Sequence, residues 1–556
     1  MKPAPPLVIL NASILTMDPL HPRAEALYCR EGRIVAVGSN ADIRALAEPD
    51  AVVLSAEGAT VTPGFSENHM HLFSGAAELD HLQLAGVSGF QELAARAHAY
   101  AAGRPEQLFL FAQGADYTLL GPDERMTRHH LDRILPDRAF AIFSHDHHTA
   151  WANTKALELS GLINGAEVGA GAEIMMGEDG LATGELREME AFDPLLVTAG
   201  ADRYRLGLST GGEPDPYPAG ADFETDIAVM RRGLEWCVRH GFTSLLLMDG
   251  NYHQLQLLAE IRRRDGFLPA RVRVPFHFKN FMALADMQKG SDMAAAYGDD
   301  ELSSGTVKMF YDGVLDAWTA LMVEPYANKP ESIGDCLFTQ EQFTAAAIEA
   351  DRRGLQIAVH AIGDGAVRAV LNGYEAARKA NGLRDSRHRI EHIEVVHPDD
   401  IPRFAELGVI ASMQPPHPPG AMGLPLEPTV SMIGRERWPY AYAWRTLKDA
   451  GAHIPFASDW PVSPICPIRG MKAAITRRKW AETDPDQRFT LLEAIAAYTV
   501  EGAYAEFKED RKGMIRPGYF ADLTVFSRDL EAMPPETLDE AKVKWTITGG
   551  RVVHAA

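Results

Sequence analysis

The feature that most constrains this chain is an alternation that runs through its middle. Eight apolar, β-prone segments recur, each ending in polar or small residues: TPGFSENHMH, FTSLLLMDG, RVRVPFHF, TVKMFYDG, LQIAVHAIG, HRIEHIEVV, VIASMQPP and HIPFASDW. Helix-like stretches such as FTAAAIEADRRG and GAVRAVLNGYEAARKA lie between most of them. Near-continuous apolar strands separated by helices predict a parallel sheet covered by helices. Eight such units predict a (β/α)8 TIM barrel. A doubly wound open sheet is the alternative, but it does not place chemistry at the ends of so many strands.

The rhythm breaks once. About 165 residues separate the first two segments, far more than a helix and two loops require. That stretch carries its own strand signals, LFLFAQGADY and RAFAIFSHD, and the helical run GFQELAARAHAYAA. An inserted subdomain within residues 75–240, over the barrel mouth, is expected; a separate linked domain is the other reading. The chain ends differ again. LVILNASILTMD, AEALYCREGRIVAVGS and AVVLSAEGATVTPGF at one end, and GMIRPGYFADLTVFS and KVKWTITGGRVVHAA at the other, are short strands around Gly, Asn and Asp. They predict one small β-sandwich assembled from both termini, residues 1–61 and 501–556, around a barrel spanning 62–500.

Composition removes several classes of function. Lys and Arg number 54 against 76 Asp and Glu, a net charge of −22. That disfavours nucleic acid and anionic membranes, which select basic patches. Cys29, Cys237, Cys336 and Cys466 are far apart and never form a CxxC pair. They read as free thiols in a reducing compartment, not as a thiolate zinc site. The first residues offer only the short apolar run LVIL, and no apolar run is long enough to span a bilayer. A cytoplasmic protein with no membrane partner is expected. No phosphate-binding glycine loop, dinucleotide fingerprint or Ser-His-Asp order appears, so no organic cofactor is implied.

The polar residues at the strand ends carry the chemistry. His69 and His71 sit at i and i+2 of the first segment, on one face of an extended chain. Lys308, His360, His392 and Asp459 fall in the fourth, fifth, sixth and eighth. A barrel needs none of them to fold, and burying them unpaired would cost several kcal/mol. A metal cluster resolves that cost. Asp459 could instead cap a following helix, and Lys308 could pair with Asp312.

With these residues in place, the chain resembles the amidohydrolase superfamily, specifically the YtcJ-like group that includes N-substituted formamide deformylases. The resemblance runs in order through NASILTMDP, PGFSENHMHL, LDRILPDRAF, HHTAWANTKAL, TGELRE, VKMFYDG, HAIGDGAV, HRIEHIEVVHP, ASMQPPHP, ASDWPVSP, GYFADLTVF and GGRVV. It implies that His69, His71 and Asp459 hold one metal and His360 and His392 a second. It further implies that Lys308, carboxylated by CO2, bridges them as an anionic carbamate, whereas a free ammonium would be repelled. Zinc is the default for such ligands; iron, manganese, cobalt and nickel meet the same geometry. Asp459 would also move the proton from the attacking water to the leaving nitrogen.

The resemblance matches His148, Trp151 and Asn153 to a motif lining the substrate pocket, and sets His417 at the end of the seventh strand near the site. His145 and His147 form a rival pair that lacks further ligands. Asp364 is expected to cap the helix after His360. Glu185 faces the metals or pairs with Arg187. One stretch departs from the family: DGVLDAWTALMVEPY carries Val314, Asp316 and Trp318 where relatives carry small or basic residues. An aromatic plane in place of a carboxylate-gripping arginine implies a neutral or aromatic substrate group beside Trp318. The expected activity is hydrolysis of a linear N-formyl or N-acyl amide. Cyclic amides, carbamates, esters and decarboxylation are the alternatives on the same barrel. Barrels with such terminal β domains often form homodimers.

Overall fold

The computed structural model describes residues 4–121, 124–144, 147–169 and 172–556. The chain divides into two compact units, one of residues Met1–Leu72, Thr210–Gly212 and Tyr217–Ala556, the other of Phe73–Ser209 and Glu213–Pro216.

In the larger unit the alternating segments become nine short strands: β1 (Phe65–Met70), β2 (Phe242–Leu247), β3 (Arg271–Arg273), β4 (Phe276–His277), β5 (Leu302–Ser303), β6 (Thr306–Phe310), β7 (Gln356–Ala361), β8 (Arg389–His392) and β9 (Ile410–Ser412). All neighbouring pairs are parallel, in two sheets of order β5-β3-β2-β1 and β4-β6-β7-β8-β9. One expected strand, RVRVPFHF, is broken in the middle, and the fourth, TVKMFYDG, is preceded by a short extra strand, β5, each for a local reason. Pro275 has no N–H to donate and separates β3 from β4. Gly305, at φ +113°, separates β5 from β6 in a conformation few L side chains adopt. Backbone bonds still cross both breaks, Val274 N–H to Ser303 O at 2.9 Å and Phe278 N–H to Lys308 O at 2.9 Å.

The eighth segment, HIPFASDW, is extended but forms no regular strand. It meets its neighbours through single parallel bridges, Met413 with Phe456 and Met70 with Trp460. Ala411 donates to His453 O, Asp459 to His69 O and His71 to Trp460 O, at 2.8–2.9 Å. Pro455 and Pro461 interrupt its ladder. The parallel strands are therefore an α/β arrangement in two sheets, without a continuous closed one.

The helices beside these strands follow their patterning. Helix α1 (Gln340–Arg352) starts at Thr339, whose hydroxyl accepts from Gln342 N–H while the Gln342 side chain accepts from Thr339 N–H. It buries Phe343, Ala346, Ala347 and Ala350. Helix α2 (Asp364–Asn381) buries Ala366, Val370, Tyr374 and Ala377, the stripe of a helix lying on a sheet. Its cap is not the expected Asp364. Gly363 occupies that position, and Asp364 accepts instead from Val323 N–H at 2.8 Å.

Both chain ends feed two further sheets. One has the order Arg33–Gly38, Ala26–Arg30, Leu7–Leu10, Val52–Ser55. The other pairs C-terminal Leu523–Phe526 with N-terminal Thr60–Pro63, antiparallel, with Val525 opposite Val61. One apolar cluster draws Leu7, Ile9, Leu27 and Cys29 from the first sheet and Ile14, Val61, Leu523 and Ile547 from the second.

The second unit is built on a six-stranded sheet of order Glu173–Met176, Ala182–Arg187, Thr149–Ala152, Ala139–Ser144, Phe109–Ala115, Leu82–Gln83. Helix Phe90–Ala102 packs Leu93, Ala97 and Ala101 into one of its apolar clusters. The long helix Ala221–Arg239 belongs to the larger unit. Among the described residues no helix is long and apolar enough to cross a membrane.

Candidate metal centre

The C-terminal ends of the parallel strands gather the buried polar residues. His69 and His71 come from the end of β1, Lys308 from β6, His360 from β7 and His392 from β8. Asp459 comes from the extended eighth segment. His392 and Asp459 have φ of +77° and +61°, a backbone conformation rare for side chains of this kind. In this region a strand's alternation no longer sets where a side chain lies, so periodicity alone could not place these two residues.

Asp459 is the hub. Its Oδ1 lies 3.4 Å from His69 Nε2 and 3.3 Å from His71 Nε2, and its Oδ2 lies 3.9 Å from His392 Nδ1 and 4.0 Å from His417 Nε2. Two sets of potential metal-binding atoms result, His69–His71–Asp459 and His392–His417–Asp459, each within 4.8 Å of one another. The second set differs from the expected pair, since His417 stands where the sequence suggested His360. The ring of His360 remains 4.5 Å from that of His392, but its Nε2 is 3.0 Å from Gly313 O.

The surroundings orient these ligands. Glu391 Oε2 is 2.7 Å from His69 Nδ1, which directs Nε2 towards Asp459. Arg389, fully buried, holds Glu391 through Nε at 2.7 Å. Asp249 Oδ1 lies 3.4 Å from His71 Nδ1, Gln414 Oε1 3.0 Å from His392 Nδ1, and Glu394 Oε1 3.7 Å from His417 Nδ1. Sequence reasoning missed four of these five residues, and offered Arg389 only as a cation that could grip a substrate carboxylate. Arg389 and Glu391, at i and i+2 of a buried strand, were the one signal available, because a charged pair on a core face needs an explanation.

Electrostatics leaves three of the imidazoles ready to bind a metal, while His71 would have to give up a proton to do so. Burial, with Lys308 next, lowers His69 to about 4 and His360 to about 3, and burial with its neighbouring imidazoles takes His392 well below its usual value. These rings are neutral at pH 7, with a lone pair to give. Burial would raise Asp459, but His69, His71 and His392 hold it far below the usual carboxylate range. Burial opposes protonation of His71, yet Asp249 and Asp459 lift it to about 9. Burial lowers Lys308 to about 8, with Glu391 and Asp459 acting against it.

Two fully or nearly buried atoms test whether a cation fits. Asp459 Oδ1 and Lys308 Nζ have no hydrogen bond among the described residues. A buried carboxylate oxygen left so, facing two imidazole nitrogens, is a ligand set. Asp312, the alternative partner of Lys308, instead accepts from Ile362, Gly363 and Leu321 N–H at 2.9–3.0 Å. Helix capping by Asp459 is also replaced: the next helix starts at Pro467 behind Cys466.

The remaining residues take other places. Trp318 has φ +57°, donates from Nε1 to Asn328 at 3.0 Å and carries Lys329 5.2 Å above its ring. In the second unit, His148 Nδ1 is 2.9 Å from Glu188 Oε2. Trp151 is 3% exposed and forms part of that unit's apolar core, with Tyr117 edge-on at 5.4 Å. Asn153 caps helix Thr154–Leu159. Glu185 accepts from Arg187 at 2.8 Å. His147 Nδ1 is 3.7 Å from Glu78 Oε1, and His145 lies outside the described residues.

An α/β chain with buried His/Asp ligand sets at the ends of its parallel strands is a metal-dependent hydrolase by architecture and site. The chain belongs to the amidohydrolase family, whose profile matches residues 52–554. It is 27% identical to YtcJ of Bacillus subtilis over 97% of this chain and 98% of that one. It is 25% identical to the N-substituted formamide deformylase of Arthrobacter pascens, over 98% and 97% respectively. Its fold is similar to that of an uncharacterized metal-dependent hydrolase from Pyrococcus horikoshii, with a TM-score of 0.72 at 24% identity, covering 99% of this chain and all of the other.

Proposed function

We propose that the protein hydrolyses a linear amide, an N-formyl or N-acyl amine, at a centre held by His69, His71 and Asp459 and extended by His392 with His360 or His417. The observation that carries this reading is that one carboxylate, Asp459, belongs to both donor sets. The likeness to a formamide deformylase along nearly the whole chain supports the linear amide. In the same reading the two parallel sheets and the eighth segment form one barrel wall, the terminal sheets a β-sandwich of residues 1–61 and 501–556, and the second unit an insertion. Four unpaired cysteines fit a cytoplasmic site of action.

Zinc suits these ligands, and a divalent metal there polarises a carbonyl and acidifies water. Asp459 accepts the proton of the attacking water on one oxygen and delivers it to the leaving nitrogen. Glu391 keeps His69 in the tautomer that presents Nε2. Lys308 is buried and without a hydrogen bond among the described residues; its amine, once it has given its ammonium proton to solvent, would add CO2 and lose a second proton to solvent, so that a carbamate anion replaces a buried cation. Trp318 offers a flat face to a neutral acyl or amine substituent, so a neutral amide is turned over faster than its carboxylated analogue.

The test is free-amine release by zinc-loaded, bicarbonate-treated protein against N-formyl, N-acetyl and longer N-acyl amines. Release that disappears in Asp459→Asn supports amide hydrolysis with Asp459 as the acid and base. Silence across the panel with metal bound would overturn the linear amide and leave cyclic amides, esters or decarboxylation.

A further inference from the structure

The parallel strands that carry the metal ligands hold a second polar site near their opposite ends. It is a cavity of about 400 Å3, lined in part by Gly305, just before β6, and Gln356, the first residue of β7. Gln356 precedes His360 by four residues of extended chain, about 13 Å. The charged groups of the lining are three arginines, Arg273, Arg353 and Arg384, and one carboxylate, Asp385. This is a strongly cationic wall in a chain of net charge −22.

The four charges are not equivalent. Asp385 is already held by Arg387 at 2.8 Å. Arg353 donates from Nε to Glu349 and from Nη1 to Gln288, both at 2.6 Å, which leaves Nη2. Arg384 donates from Nε to Asp351 at 2.5 Å and from Nη2 to Leu355 O at 2.8 Å, which leaves Nη1. Arg273 has no ion-pair partner among the described residues. Its Nε donates to Thr306 Oγ1 at 3.0 Å, and its two terminal nitrogens make no hydrogen bond among the described residues. Desolvation holds this guanidinium below its ordinary value, the charge of Glu506 raising it and that of Arg389 lowering it.

Arg273 is half-buried at the cavity wall, and a cavity that brings two more N–H donors beside an arginine with no ion-pair partner among the described residues supplies the geometry for a bound counter-ion. Leu355 and Phe507 add apolar surface, so the space suits an organic body as well as its oxygens. We propose that this cavity binds a small organic oxyanion, a phosphate ester or a dicarboxylate, with Arg273 as its principal counter-charge and Arg353 and Arg384 completing the grip. The site is separate from the metal ligands and stands whether or not the amide reading holds.

Calorimetric titration of the metal-loaded protein with inorganic phosphate, and separately with succinate, tests this at fixed ionic strength in chloride. Saturable binding of either anion is expected. Arg273→Met should weaken it about tenfold or more, the loss of charge-assisted hydrogen bonds, while metal content stays the same. Ser291→Asp should do the same. Ser291 Oγ is 3.3 Å from Arg353 Nη1, so this change installs a carboxylate in the cavity without removing a core residue, and it carries the test if Arg273→Met fails to fold. Phosphate without succinate would assign phosphate esters, and the reverse dicarboxylates. No saturable binding of either anion would overturn the proposal. So would binding in both variants equal to wild type, which would place the anion at the metal centre.

Discussion

Two of the chain's clusters of closely spaced histidines have different fates. His69 and His71 are buried, face one carboxylate at 3.3–3.4 Å, and have other polar side chains behind them. His147 and His148 are partly exposed, and each stands against its own glutamate, Glu78 at 3.7 Å and Glu188 at 2.9 Å. A histidine with its own carboxylate at a half-wet surface is satisfied as an ordinary ion pair. His69 and His71 also have a carboxylate each on Nδ1, Glu391 and Asp249, but their Nε2 atoms converge on one oxygen of Asp459, where a cation satisfies all three. Spacing in sequence does not separate these cases; burial and the shared carboxylate do.

The largest effect that would break this comparison is at the shared carboxylate. Asp459→Asn should lower kcat by about 10³-fold or more, since in the proposed reading it removes both a metal ligand and the proton carrier. Metal content by plasma emission spectroscopy should fall with it. Full metal and full turnover in the Asp459→Asn variant would end the hub reading. Glu391→Gln should act more gently, through His69. A loss of metal affinity of about 10–100-fold is expected, read by competition with a chromogenic chelator.

How much of this was legible without coordinates depends on where each signal resides. Seven of the eight apolar segments contain strands, because burial on both faces writes itself as continuous Val, Ile and Leu. The eighth did not become a strand, because Pro455 and Pro461 remove donors that hydrophobicity does not report. His69, His71 and Asp459 converge as their motifs suggested. His417 was set near the site as a substrate contact, but its place beside His392 in a donor set was not legible, since it depends on a turn after β9 and on the positive φ of His392. Glu391, Asp249 and Gln414 escaped for a different reason: they act through another side chain, and sequence spacing carries no trace of that. Trp151 was legible as an aromatic in a recognisable motif, but not as a residue sunk in its own unit's core.

The second histidine cluster gives the next smaller effect. His148→Ala should leave metal content unchanged, because its partner is Glu188 and not a ligand set. If His148 contacts substrate, as the motif implies, KM for the amide should rise several-fold with metal binding intact. Unchanged KM and kcat would reduce His148 to an ion pair, and loss of metal would erase the distinction between the clusters.

The smallest effect comes from a carboxylate with no part in either cluster, and it calibrates what an ordinary pair is worth. Glu493 caps helix Leu491–Tyr498, accepting from Thr490 N–H at 2.8 Å and pairing with Arg445. Burial would raise its pKa, but Arg445 and the Thr490 cap lower it from 4.5 to about 2. A carboxylate whose folded value lies below its unfolded one stabilises fully above the unfolded value, here pH 4.5 and higher. The contribution fades as pH falls from 4.5 through about 2, and is gone only below that, where both states are protonated. Glu493→Gln should therefore cost about 1 kcal/mol at pH 7, clearly less at pH 3 and almost nothing below pH 2. Urea unfolding at pH 7 and pH 3 reads the difference. If the variant lost as much at pH 3 as at pH 7, the contribution would be packing rather than charge. The half-exposed pair of His148 would then be no guide to electrostatics either.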